Sequence, residues 1–117
     1  MQGRRVDRIE EQLRIEISDI LEREVTDPRI GLTTVTTVKV SPDLSHARIF
    51  VTVLGDETDR KKTIQGLKSA AAYVRRSLSK RLHHLRRIPE LTFEYDETIE
   101  QDFRIEKLFE QIKPDTE

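Results

Sequence analysis

Seven basic side chains crowd into twenty residues of this chain: Lys68, Arg75, Arg76, Lys80, Arg81, Arg86 and Arg87. No acidic side chain lies among them. Arginine outnumbers lysine five to two in this block. The planar guanidinium fork donates two parallel hydrogen bonds to a phosphate, which an ammonium cannot do. If the block is helical, at about 100° per residue, Arg76, Lys80, His83 and Arg87 share one face. Arg75, Lys68 and Arg86 then flank that face on one side and Arg81 on the other. With no carboxylate four residues away, like charges repel by a few tenths of a kcal/mol per pair. A polyanion would relieve that repulsion. A plain solvated cationic face and an acidic protein partner docked on a basic helix are the competing readings. Arg4, Arg5 and Arg8 widen the patch if the first helix lies nearby, and Arg29 and Arg48 are weaker candidates for the same role.

Other chemistry finds little support. Cysteine is absent, which removes disulfides, thiolate zinc sites, iron–sulfur ligation and thiol nucleophiles. His83 and His84 are adjacent and would point about 100° apart on a helix. His46 lies far away in sequence, so no metal site and no cofactor are expected. The glycines Gly3, Gly31, Gly55 and Gly66 are isolated, which excludes a glycine-rich phosphate loop. No Gly-x-Ser-x-Gly elbow occurs. Glu94 and Asp96 share one strand face, where a solvated pair is the better reading. Two tyrosines, four phenylalanines and no tryptophan are a thin supply of stacking surfaces. The expected ligand is therefore structured RNA held by its backbone, and no enzyme activity is expected.

These residues need a scaffold. The chain has 117 residues, 35% hydrophobic and 37% charged, enough for one domain with a small core and an ionic surface. The net charge of -1 hides the basic block, because the last thirty residues carry ten acidic and three basic side chains. Val6, Ile9, Leu13, Ile17 and Ile20 recur at steps of three and four, so a helix is expected from Arg4 to about Val25. Asp27-Pro28 stops it. Leu32 to Val40 and Ala47 to Leu54 read as strands, joined through Ser41-Pro42-Asp43-Leu44-Ser45 in an antiparallel hairpin. Ile64, Leu67, Ala71, Val74, Leu78, Leu82 and Leu85 form a stripe without a phase slip, which predicts one helix from about 60 to 86. Leu91, Phe93 and Tyr95 alternate as a third strand after Pro89. A right-handed crossover through the helix would set that strand parallel to the second. The fold class is α+β. Residues 1–97 read as the domain. Residues 98–117 read as an acidic tail, weakly helical or disordered. No apolar run approaches the roughly 20 residues of a membrane span, and the start has no signal-peptide core. A cytoplasmic location is expected.

Six segments in order point to a family. They are Arg5-Val6; Asp27-Pro28-Arg29; Val38-Lys39-Val40-Ser41-Pro42-Asp43-Leu44; Ala47-Arg48-Ile49-Phe50-Val51; Val74-Arg75-Arg76-Ser77-Leu78; and Ile88-Pro89-Glu90-Leu91-Thr92-Phe93-Glu94-Tyr95-Asp96. Together they resemble the ribosome-binding factor A family of bacterial small-subunit assembly factors, over about Arg4 to Leu108. The resemblance implies a type II KH-like domain: a three-stranded mixed sheet packed on one side by helices, in the order helix-strand-strand-helix-helix-strand. It implies that the long helix divides in two at an Ala-x-Gly kink, here Ala70-Ala71-Ala72, with Ala72 in place of the glycine. The periodicity argues for a mild bend at most. The family lacks the Gly-x-x-Gly loop of classical KH domains, as this chain does. The resemblance further implies a non-enzymatic factor, expected here to be a monomer. It would bind the immature small subunit and its 16S rRNA and promote late maturation and processing, above all in the cold.

Overall fold

The computed structural model describes residues 2–98. The expected acidic tail lies outside the described residues, apart from Thr98. The element order is α1 (Gln2–Arg23), β1 (Thr33–Val40), β2 (His46–Val53), α2 (Glu57–Arg81) and β3 (Glu90–Tyr95). β1 pairs antiparallel with β2, and β2 pairs parallel with β3, giving a mixed sheet in the order β1-β2-β3.

The alternation in β2 buries Ala47, Ile49, Val51 and Val53 and leaves Arg48 on the opposite face. Register then decides its neighbours: Ile49 lies beside Phe93 of β3 and Val38 of β1. The apolar face of α1, Ile9, Leu13, Ile17 and Ile20, closes on this layer together with Leu67, Val74 and Leu78 of α2. β1 holds its alternation only through a β-bulge between Val35 and Thr37. Val35 and Val38 are three residues apart, and a regular strand would send them to opposite faces. The extra residue, Thr36, donates its hydroxyl to the buried Asp96 carboxylate at 2.5 Å. That bond lowers the Asp96 pKa and ties the first strand to the end of the third.

α2 opens on a capping box. Asp56 accepts from the Asp59 amide at 2.9 Å, and its own amide donates to the Asp59 carboxylate at 2.9 Å. Two expectations about this helix are corrected. First, the division at Ala70-Ala71-Ala72 is not there: α2 is one uninterrupted helix, so the helix-helix step of the family order is a single element. Alanine is the best helix former, and without a glycine at 72 the backbone has no reason to leave the helical region. Second, α2 ends at Arg81, not near 86. Leu82 caps it, and Leu85 closes a turn through its amide to the Leu82 carbonyl at 3.1 Å. Pro89 cannot donate, and it holds Ile88 in extended backbone so that β3 can start. His83, His84, Arg86 and Arg87 therefore sit on a connecting loop and not on the helix.

Candidate nucleic-acid interface

The loop brings Arg86 and Arg87 back to the helix. With Arg75 and Arg76 they line a hollow of about 470 Å³, whose remaining walls are Ala72, Ser79 and Ile88. Arg75 is anchored there: its Nε and Nη2 donate to the Ile88 carbonyl oxygen at 3.2 and 2.9 Å. Ile88 and Pro89 are buried, so this end of the loop is fixed in the core. Lys80 lies exposed one turn beyond Arg76. Among the described residues, Arg76, Arg86, Arg87 and Lys80 have no ion pair. The two consecutive arginine pairs, one from α2 and one from the loop, therefore face the same concave surface without a paired carboxylate among the described residues.

The first helix adds to this end of the molecule. His84 Nε2 lies 3.3 Å from Gln12 Oε1. Arg8 and Arg5 precede Gln12 by four and seven residues and so share its helical face. Both are exposed, as is Arg4. The part of this α1 face that precedes Gln12 is thus cationic.

Arg81 does something else. Its guanidinium turns to α1, where Nη1 donates to Glu16 at 3.0 Å and to Asp19 at 2.8 Å, and Nη2 to Glu24. Tyr73 and Ser77 donate their hydroxyls to the same Glu24 carboxylate at 2.8 and 2.9 Å. The Tyr73 hydroxyl, followed by Arg81 and Ser77, holds the Glu24 pKa below its ordinary value. The carboxylates of Asp19, Glu16 and Glu24 push the Arg81 guanidinium up. Arg81 is therefore a bracket between α1 and α2.

Three other candidates stand apart. Lys68 and Arg48 line a second groove, of about 850 Å³, between α2 and the strands. Arg48 is paired there with Glu94 at 2.6 and 2.8 Å and lies 4.9 Å from the Phe50 ring centre. Acidic and basic walls balance in that groove, and Arg60 stacks on Tyr95 at 4.5 Å. Arg29 is clasped by Asp27 in a tight turn, at 2.7 Å for the Nη2 contact. That turn is riveted to α2: Thr63 Oγ1 accepts from the Gly31 amide at 3.1 Å, and Gly66 meets Ile30. Gly66 precedes Arg76 by ten residues, about 15 Å along the helix.

Ser79, and Ala72 as a wall of the hollow instead of a kink position, carry no charge and so do not show in the charge pattern. Their signal was on the helical net, where 72, 75, 76 and 79 are neighbours, so small side chains open a floor between arginines. Among the described residues no cluster of three metal-ligating side chains exists, and no helix is long and apolar enough to cross a membrane.

A three-stranded mixed sheet backed by α1 and α2, with an arginine surface at one end, defines a KH-like α+β module. The family model "Ribosome-binding factor A" matches residues 5–109. A ribosome-binding factor A of Halothermothrix orenii is 45% identical over 117 residues, covering 100% of this chain and 95% of its own. The crystal structure of ribosome-binding factor A from Thermus thermophilus superposes with a TM-score of 0.69 at 27% identity, covering 77% of this chain and 93% of that one. Coordinates of the Thermus thermophilus factor fitted into a cryo-EM map of its complex with the 30S particle give 0.64 at 27% identity, over 76% and 92%. The chain belongs to the ribosome-binding factor A family.

Proposed function

We propose that this chain is a non-enzymatic assembly factor that binds the free immature small ribosomal subunit, contacts 16S rRNA and promotes its late maturation and processing. The observation that carries this reading is the meeting of Arg75, Arg76, Arg86 and Arg87 around one hollow, in a chain whose relative was fitted into a 30S complex. Lys80, Arg5, Arg8 and Arg4 extend the contact surface. Residues 1–97 form the binding unit, and residues 98–117 form a separate acidic tail. The protein acts as a cytoplasmic monomer without a cofactor.

The mechanism is differential binding. A factor that holds one rRNA conformation more tightly than another shifts the population toward it by that difference alone. Release follows when the mature conformation no longer fits. Cold slows the escape of misfolded RNA helices, so the demand for the factor rises as temperature falls.

Co-sedimentation with purified small subunits and with assembled ribosomes, at low and high salt, is the test. Selective migration with free subunits that weakens with salt is the expected result. Arg76→Glu with Lys80→Glu should abolish migration while the circular dichroism spectrum stays native. Undiminished binding by this folded variant would remove the basic surface from the interface. Migration with neither particle would overturn the reading and favour an acidic protein partner.

A further inference from the structure

We infer that the hollow between α2 and the 82–89 loop is a niche for one RNA backbone phosphate, gripped jointly by arginines from both elements; this rests on the reading of the basic surface as an rRNA contact. Four guanidinium-bearing residues, Arg75, Arg76, Arg86 and Arg87, line a single concavity of about 470 Å³. That is many times the ~30 Å³ share of one water, so a phosphate and its flanking sugars have room. The depth comes from sequence: Ala72 and Ser79 are small, and any long side chain at either position would fill the floor.

The site is organised in advance. Arg75 is pinned on the Ile88 carbonyl, which itself belongs to a buried residue. The loop carrying Arg86 and Arg87 is held at both ends, by Leu82 and by Ile88, each buried. Little backbone freedom, and little of the Arg75 side chain's freedom, is then lost when an anion enters, which is how pre-organisation raises affinity. Like charges held together in this way repel each other, and one centre of negative charge between them removes the repulsion at one stroke. Arginine forks provide bidentate geometry for it.

The lining also says which kind of phosphate. No aromatic ring is among the lining residues, so a base would meet only guanidinium planes there. No carboxylate is present to read a ribose or a base edge. A free nucleotide offers the site one terminal phosphate with no aromatic platform for its base, whereas a polymer can be held there by its backbone irrespective of sequence. The niche therefore positions the RNA and does not read it.

A shared phosphate has a signature that a spread-out patch lacks. Each neutralised phosphate contributes about 0.7–0.9 to the slope of log affinity against log salt. If one phosphate is shared, Arg76→Gln, Arg86→Gln and Arg87→Gln combined flatten the slope of small-subunit binding by only that about 0.7–0.9. Three independent contacts would flatten it by about 2.1–2.7. A loss of about 1.4 or more, or no change in slope, overturns the niche while leaving subunit binding intact. Should the unaltered protein fail to bind subunits, the failure lies with the rRNA reading, and a second arm judges the niche alone. In that arm, arginine Nε–H resonances of the unaltered protein are followed as inorganic phosphate is added, against chloride at matched ionic strength. Saturable shifts of Arg76, Arg86 and Arg87 with one midpoint support the niche. Unsaturable shifts, or shifts shared by all arginines alike, overturn it.

Discussion

Gly66→Ala sets two effects against each other, and the structure decides between them. Gly66 is buried inside α2. In an open helix the substitution would stabilise the protein by about 1 kcal/mol, because glycine gives up more backbone freedom than alanine on folding. Here an added Cβ would stand 2.7 Å from Ile30 Cγ1 and 3.4 Å from both Ile30 Cδ1 and Arg29 Cβ. Ile30 Cγ1 is not the free end of a flexible chain, and the turn behind it is held by Thr63 through the Gly31 amide. Overpacking a well-filled site costs about 1–3 kcal/mol. The net expectation is destabilisation of about 1 kcal/mol, or a fall in Tm of about 4–8 °C for a domain of this size. Urea unfolding of four proteins tests it: the unaltered chain, Gly66→Ala, Ile30→Ala and the double variant. Removing the Ile30 side chain beyond Cβ opens the space, so Gly66→Ala should stabilise the Ile30→Ala background by about 1 kcal/mol. The coupling between the two positions is then about 2 kcal/mol, with the sign of a relieved clash. Stabilisation of the unaltered chain by Gly66→Ala, or a coupling near zero, would refute the close approach of the Asp27–Gly31 turn to α2. The turn also carries Arg29, so the same cycle shows whether that arginine is presented on a rigid support.

Two further outcomes concern the Arg81 ion pairs and a carboxylate in the hairpin turn. Arg81→Met should lower the urea midpoint, because Glu16, Asp19 and Glu24 lose their common partner, yet leave the salt slope of subunit binding unchanged; a flattened slope would show that Arg81 meets phosphate. Asp43 accepts from the Ser41 hydroxyl and from the Ser45 hydroxyl and amide, which together hold its pKa at about 2. A carboxylate whose folded pKa lies below its usual value near 3.9 contributes its stability above that value and loses it as pH falls through the folded pKa. The stability gap between the unaltered chain and Asp43→Asn should therefore be constant near neutral pH and close between about pH 4 and pH 2, as read by urea unfolding; a gap that persists at pH 2 would show that the charge is not what organises the turn.

The sheet and both helices were legible because their apolar residues keep one period for long stretches. Ile9, Leu13, Ile17 and Ile20 can lie on one face only if the segment is helical, and Ala47 to Val53 can do so only if it is extended. The parallel pairing of β2 and β3 followed from the helix between them. The bulge at Thr36 was written in the three-residue step from Val35 to Val38, but a strand read only by its threonine and valine content does not show it. The end of α2 escaped periodicity for the opposite reason. Leu78, Leu82 and Leu85 keep helical spacing, and Leu85 remains packed against the core from a non-helical turn. Periodicity records which residues must be buried, and a tight turn met that demand as well as a helix did.

Charge was legible as a quantity and not as an arrangement. Seven basic residues in twenty told of a cationic block, and the sequence by itself determined that this block would be rich in arginine, free of internal carboxylates and attached to an α+β core. It could not say which members would stay available. Arg81 is the fourth residue after Ser77 and the last of α2, and only the packing of α1 across that end places Glu16, Asp19 and Glu24 within its reach. Had the helix continued, Arg86 and Arg87 would have stood about three turns beyond Arg75 and Arg76; the chain's return to β3 folds them back over that pair instead. Spacing along one element fixes directions only within that element. Where two elements meet, distance is set by the core between them, and that is why the arginine hollow belongs to the tertiary structure.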